Sequence, residues 1–391
     1  MNSPSRFFLA AALLGAAAAP SFAQESGSAA SHDAFAVQRA RTVHVTSRGK
    51  KVFYTHAWDL SGLPPYVPGP PVSGTIRTWG LNYLADGNLG RYWEEGFRKY
   101  HPGVRFEDHL YTALVSVAGM STGVANLAAS RKITFDDLEG FERIFNHDPV
   151  EIVMVTGSYD VPGWANALGI FVHKDNPLTG LTLPQLDGVF GAARTGGYQG
   201  TTWHPEVARG AAENIRTWDQ LGLTGEWAGK PIHVYGLNLR YHQQIQIEMR
   251  VFHGGDKWNE DLREYANYAK ADGSIGIAAN ELMKDLSRDR YGIAYSGVQN
   301  LTAQTKVLAL APAPGGPYVP LTIENVQNRT YPLIGEEYWY LNREPGRPID
   351  PKLREYLRYT LSREGQEAVV RDGKFLPLTP AVVAEQLRKL E

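Results

Sequence analysis

One pentapeptide in the chain has the form of a nucleophile. Gly119-Met-Ser121-Thr-Gly123 fits the pattern G-x-S-x-G, in which a tight strand-to-helix turn presents a serine hydroxyl for attack on an acyl carbon. An apolar run precedes it, as such a turn requires. The serine would then need a histidine after the last strand, yet the last of the eleven histidines is His253, and the strand- and helix-rich tail beyond it has none. An esterase built on Ser121 therefore stands as a reading of another class, with its partners unplaced. Metal chemistry finds no support, because there is no cysteine and no two histidines are four residues apart as on a zinc-binding helix. No P-loop or dinucleotide fingerprint occurs either, so neither a cofactor nor catalysis is expected. The acidic doublets Asp136-Asp137 and Glu336-Glu337 read most simply as solvated or capping carboxylates.

The elements that would position any site follow from hydropathy and punctuation. Ala167 to Val172 carries too few polar side chains to face water on either side, so it reads as an inner strand of a covered, largely parallel sheet. Asp175-Asn176-Pro177 breaks that strand, and Thr182 with Pro184 supplies an N-cap and an early-turn proline for a helix over 185–190. Upstream, Thr75 to Trp79 and Val104 to Leu110 read as strands. Between them Asn88 opens a helix whose Leu89, Tyr92, Trp93, Phe97 and Tyr100 share one face. Thr134 and Asp137 form a capping-box variant for the next helix, and Val150 to Thr156 is a further strand. Residues 192–212 are glycine-rich and irregular, as an insertion would be. Tyr241, Ile245, Met249 and Phe252 recur at helical spacing, Val307 to Leu310 is read as a strand returning the chain to its first lobe, and Glu336 to Asn342 reads as a strand of alternating aromatics.

With 391 residues, 43% hydrophobic and 20% charged, the chain can bury a sizeable core, and its length allows two domains. Thirty-nine basic against 41 acidic residues leave a net charge of −2, which gives no electrostatic footprint for nucleic acid or an anionic membrane surface. Arg6, the apolar run from Phe7 to Ala19 and the small-x-small site Ser21-Phe22-Ala23 together predict a cleavable leader over 1–23. The run is below the ~20 residues needed to span a bilayer. Export is expected, to the periplasm or beyond. Residues 24–73 read as an extension rich in small residues ending in the proline-rich connector 62–74.

The order of apolar strand, D-N-P turn, Leu181-Thr-Leu-Pro-Gln-Leu186, Trp218-Asp-Gln-Leu221 and Lys230-Pro-Ile-His-Val-Tyr-Gly236 resembles the periplasmic phosphate-binding family, the solute receptors of phosphate ABC importers. The resemblance runs from about Gly74 to Gly373. It implies a two-lobed α/β fold of the type II periplasmic binding plan, each lobe a central mixed sheet flanked by helices, with the ligand in the cleft at the hinge. One lobe is expected to hold 74–174 plus 305–391 and the other 175–304. It also implies a small oxyanion as ligand, most simply inorganic phosphate, a membrane permease as partner, a monomeric state and no chemistry.

The family's site motifs carry over only in part. Its Ser-Gly-Ser-Gly loop corresponds to Tyr111-Thr112-Ala113-Leu114, which keeps the hydroxyl of Thr112 and loses the glycines. Its Ser-Asp pair corresponds to Ser130-Arg131, where the acid is replaced by a group with donors only. Its Arg and Ser-Gly-Thr element falls on 237–243, where Arg240 and Gln243 are the candidates. Thr112, Ser130, Arg131, Arg240 and Gln243 are thus the expected ligand contacts. The departures leave open another oxyanion, a small polar metabolite, or a sensing role for the same fold.

Overall fold

The computed structural model describes residues 56–272 and 274–391, all within the compact unit Val45–Glu391. The expected leader and the extension as far as residue 55 lie outside the described residues. Strand β1 (Ser73–Gly80) starts the first sheet. Its buried positions alternate from Ile76 to Gly80, which is the mark of a strand with one covered face. Helix α1 (Leu89–Arg98) buries Leu89, Trp93 and Phe97 as the spacing predicts, and the backbone N–H of Asn88 before it donates to Asp372 at 2.7 Å. Next come β2 (Gly103–His109), the short helix α2 (Ser116–Ser121), β3 (Leu127–Ser130), α3 (Phe135–Phe145) and β4 (Val150–Thr156). The Thr134–Asp137 capping box is present in full at the start of α3.

Strand β5 (Leu168–His173) opens the second sheet and is buried at every position. Helix α4 (Leu183–Phe190) follows with Thr182 at its N-cap, its side chain accepting from the Gln185 N–H while Gln185 reaches back. The second lobe continues through β6 (His233–Leu237), α5 (His242–Arg250), β7 (Arg263–Tyr265), α6 (Ala278–Leu286), β8 (Gly292–Gly297) and β9 (Thr305–Val307). Strand β10 (Glu336–Leu341) and helices α7 (Pro351–Leu361), α8 (Arg363–Asp372) and α9 (Pro380–Arg388) complete the first lobe.

The first sheet has the order β2-β1-β3-β10-β4 and the second β7-β6-β8-β5-β9. Each is mixed: β10 runs antiparallel to β3 and β4, and β5 runs antiparallel to β8 and β9. The expectation of a largely parallel setting for β5 is corrected here. A run of apolar residues reports that both faces are covered, and says nothing of which way the neighbours point. Strand membership also moves the expected crossings: β5 and β9 both belong to the second sheet, so the chain passes between the sheets over 157–167 and again over 311–335. Residues 307–310 therefore do not return the chain to the first lobe. Two separate apolar cores result, one around Trp93, Phe97 and Trp339, the other around Phe171, Phe190 and Trp218.

The two crossings run side by side. Gly157 N donates to Gly335 O at 2.9 Å and Leu168 N to Leu333 O at 2.9 Å. A Cβ on Gly157 would stand 2.2 Å from the carbonyl oxygen of Ala165, and one on Gly335 would stand 2.3 Å from the same oxygen. Glycine is needed at both positions because the backbones approach more closely than any side chain allows.

Two peripheral segments are pinned rather than loose. The proline-rich stretch before β1 buries Leu63 and Tyr66, and the Tyr66 hydroxyl donates to Glu355 at 3.0 Å. The glycine-rich insert is anchored to the second lobe by Asp187, whose carboxylate takes two bonds of 2.6 Å from Arg194 and one of 3.0 Å from Arg209, all three side chains buried. It also reaches the first lobe, where Tyr198 lies against Phe135 with ring centroids 4.7 Å apart and Thr201 donates to Glu142 at 3.1 Å. Among the described residues, no helix is long and apolar enough to cross a membrane.

Candidate functional site

The carboxyl ends of the first-lobe strands and the N-terminus of α5 face each other between the lobes, where open α/β sheets place their ligands. A cavity of about 200 Å³ lies there, walled by Arg131 beyond β3, by Glu336, Glu337 and Tyr338 on β10, and by Gln246 and Arg250 on α5. A second cavity of about 430 Å³ adjoins it, and His242 lines both. The walls of the larger cavity include Trp164, Asn166, Gln243, Asn267 and Gln299, and hold no Asp, Glu, Lys or Arg. Trp164 is stacked on Tyr83, with centroids 5.2 Å apart.

The charges of the smaller cavity are unevenly compensated. Glu336 accepts from Arg250 at 2.5 Å and from the Tyr338 hydroxyl at 2.8 Å, and pairs with Arg329 as well. Burial pushes its carboxyl up, but Arg250 and Arg329 outweigh this and hold it below the usual range. Since Arg250 belongs to α5 and Glu336 to β10, the pair ties one lobe to the other. Lys132 is neutralised by Glu151 at 2.6 Å. Glu337 is different. It is 1% exposed, its Oε2 has no hydrogen-bond partner, and burial pushes its carboxyl up to about 8, with the charge of Arg131 pulling it back. Arg131 in turn has a buried Nη1 without a hydrogen-bond partner, its nearest salt-bridge contact being Asp137 at 3.9 Å.

The five expected contacts are dispersed. Arg131 lines the smaller cavity and Gln243 the larger, with its Oε1 buried and unpartnered. Thr112 instead caps the single turn Ala113–Val115, accepting from Leu114 N at 3.4 Å. Ser130 is fully buried with its Oγ 3.0 Å from that of Ser116, and lines neither cavity. Arg240 is exposed on the turn before α5 and lines neither cavity. Ser121 closes α2 at its C-terminal end, so it is not the serine of a strand-to-helix elbow. The reading of Glu336-Glu337 as solvated acids is overturned. The acidic pair lies inside the aromatic alternation of β10, the pattern of a covered strand, and both carboxylates line the smaller cavity. That was the available signal.

The chain matches the PBP superfamily domain over residues 68–364. It belongs to that superfamily. Within it, the phosphate-binding protein PstS of Pseudomonas aeruginosa is 33% identical over 328 residues, 84% of this chain and 90% of that protein. PstS from Borrelia burgdorferi superposes with a TM-score of 0.50 at 14% identity, covering 78% of this chain and 100% of that one. An ABC-type phosphate transport receptor from Vibrio cholerae gives 0.46 at 15% identity, with 77% and 99% covered. The Borrelia likeness shows the PBP fold. The two-lobed plan expected from the sequence is the one found, with the lobes joined by two adjacent crossings and the cavities between them.

Proposed function

We propose that this protein is a periplasmic solute-binding protein that captures a small oxyanion, inorganic phosphate first, and hands it to the permease of an ABC importer as a monomer, doing no chemistry itself. The observation that carries the reading is Arg131: a guanidinium whose side chain is only 18% exposed, standing between the lobes with a buried, unpartnered N–H donor. Such a donor is unfavourable unless an anion occupies it, and a guanidinium suits the planar pair of oxygens an oxyanion presents. Kinship with PstS supports phosphate as that anion. Closure of the lobes would bring the α5 wall onto the bound ion, with the paired crossings as the hinge. Calorimetric titration of the exported protein with inorganic phosphate tests the reading, and absence of heat and of any rise in melting temperature would refute it.

A second reading is favoured by the larger cavity, whose amide-rich and aromatic walls suit a small polar metabolite better than a bare ion. It predicts a thermal shift with uncharged hydroxylated solutes and none with phosphate.

A further inference from the structure

The two cavities between the lobes share their walls. On the crossing over 157–167, Ala165 lines the smaller cavity while its neighbours Trp164 and Asn166 line the larger; on α5, Gln246 lines the smaller, Gln243 the larger and His242 both. Small-molecule sites commonly enclose ~300–1,000 Å³. The smaller cavity, at about 200 Å³, falls below that range and suits an ion, whereas the larger, at about 430 Å³, has room for an organic body.

Asn166 fixes the amides at the junction. Its Nδ2 donates to the Val161 carbonyl at 3.1 Å, so its Oδ1 is the end that accepts from Gln299 Nε2, at 3.4 Å. Its backbone carbonyl accepts from Gln246 Nε2, also at 3.4 Å. Both glutamines thus turn their nitrogens to Asn166, and the Oε1 of each is buried without a hydrogen-bond partner among the described residues. Gln243 Oε1 is a third acceptor of the same kind. A bare hydrogen phosphate carries one proton and cannot meet all three, whereas hydroxyl groups can. Among the described residues, the walls of the larger cavity hold no Asp, Glu, Lys or Arg, so the donors that suit it are neutral.

We propose that the two cavities form one site for a phosphate monoester of a small polyol, with the phosphoryl group on Arg131 and the hydroxylated body past His242 among Gln243, Gln246 and Gln299. The inference rests on the oxyanion reading above and names the class of oxyanion. A monoester keeps three phosphoryl oxygens free of carbon, enough for the planar pair of donors on a guanidinium. Its hydroxyls donate to the amide oxygens in exchange for solvent, so the polar walls are met by the ligand itself. Arg250 and Arg329 offset the charge of Glu336, and burial keeps Glu337 protonated at neutral pH, so neither side chain opposes the phosphoryl group.

The experiment is calorimetric titration of the wild type, Ala279→Phe and Gln299→Leu with inorganic phosphate, methyl phosphate and glycerol phosphate near neutral pH. Ala279 lies in the first turn of α6 and lines the larger cavity but not the smaller, so a phenyl ring there fills the space for the body and leaves Arg131 untouched. Gln299→Leu keeps the size of the side chain and removes the acceptor. In the wild type, glycerol phosphate should bind at least about tenfold more tightly than either inorganic phosphate or methyl phosphate, a comparison that needs no variant. Ala279→Phe should erase that advantage and Gln299→Leu should reduce it about three- to tenfold, while both hold inorganic phosphate within about twofold of the wild type. Glycerol phosphate bound no more tightly than inorganic phosphate, a methyl ester as tight as the glycerol ester, or parallel losses of both ligands in Ala279→Phe overturns the inference while the oxyanion reading stands. If glycerol phosphate binds and inorganic phosphate does not, the inference stands and the ester replaces the bare ion as the ligand. If no phosphoryl compound binds the wild type, the oxyanion reading falls and the inference with it.

Discussion

Replacing Glu337 with glutamine should change how the stability of the ligand-free protein depends on pH. The carboxyl has an ordinary value of 4.5 and is pushed up to about 8 by full burial. Between those values the native state holds a proton that the unfolded state has lost, so stability falls as pH rises across the window. Below it both states are protonated and Glu337 carries no penalty; above it both are ionised and the penalty is complete. A separation of about 3.5 pH units at 1.36 kcal/mol each gives a total on the order of 5 kcal/mol. Glutamine has no such linkage. The advantage of Glu337→Gln over the wild type should therefore be least near pH 4.5, grow by about 1.4 kcal/mol per unit through neutrality, and level off above pH 8. Urea unfolding at half-unit intervals from pH 5 to 9 measures it. Parallel stability curves for the two proteins would mean that Glu337 is not held neutral by the fold, and the account of the smaller cavity would be wrong.

Asp187→Asn should cost about 3–5 kcal/mol, because it leaves Arg194 and Arg209 buried around a neutral amide; thermal denaturation reads the loss. Gly335→Ala should destabilise by about 1–3 kcal/mol or more, since its Cβ would meet the Ala165 oxygen at 2.3 Å, and a protein as stable as the wild type in urea would show that the crossings can separate without cost. Ser121→Ala should leave ligand affinity and melting temperature unchanged within error. Covalent labelling of Ser121 by a fluorophosphonate would contradict its position at a helix end.

Local chemistry was well represented in the sequence. The buried run of β5, the Thr182 and Pro184 start of α4, the Thr134 capping box and the single apolar face of α1 each depend on residues within one or two turns of one another, and all four are present. Strand direction and membership were not legible, because they depend on partners far along the chain. Leu168, for example, pairs with Gly297, and β10 lies beside β3 although some 200 residues separate them. The site was only half legible for the same reason. Arg131 and Gln243 could be picked out by position in a motif, whereas Glu337 acquires its character from the strands and helix packed over it.

The placement of β10 has a consequence for how the chain comes to be folded. The strands of the second sheet all come from residues 168–307, one continuous stretch, while its core is finished by later residues such as Tyr331, Leu333, Ile334 and Leu376. The first sheet draws on a distant strand as well, because β10 sits between β3 and β4 and, among the described residues, is the only strand joining them. Until residues 336–341 arrive, both neighbours expose an unpaired edge, and an open edge recruits other chains. A polypeptide emerging N-terminus first therefore passes through a stage in which every strand of the second sheet is available and the first sheet still lacks its joining strand. Hydrogen exchange during refolding would show amides of β5 and β8 protected before those of β3 and β4.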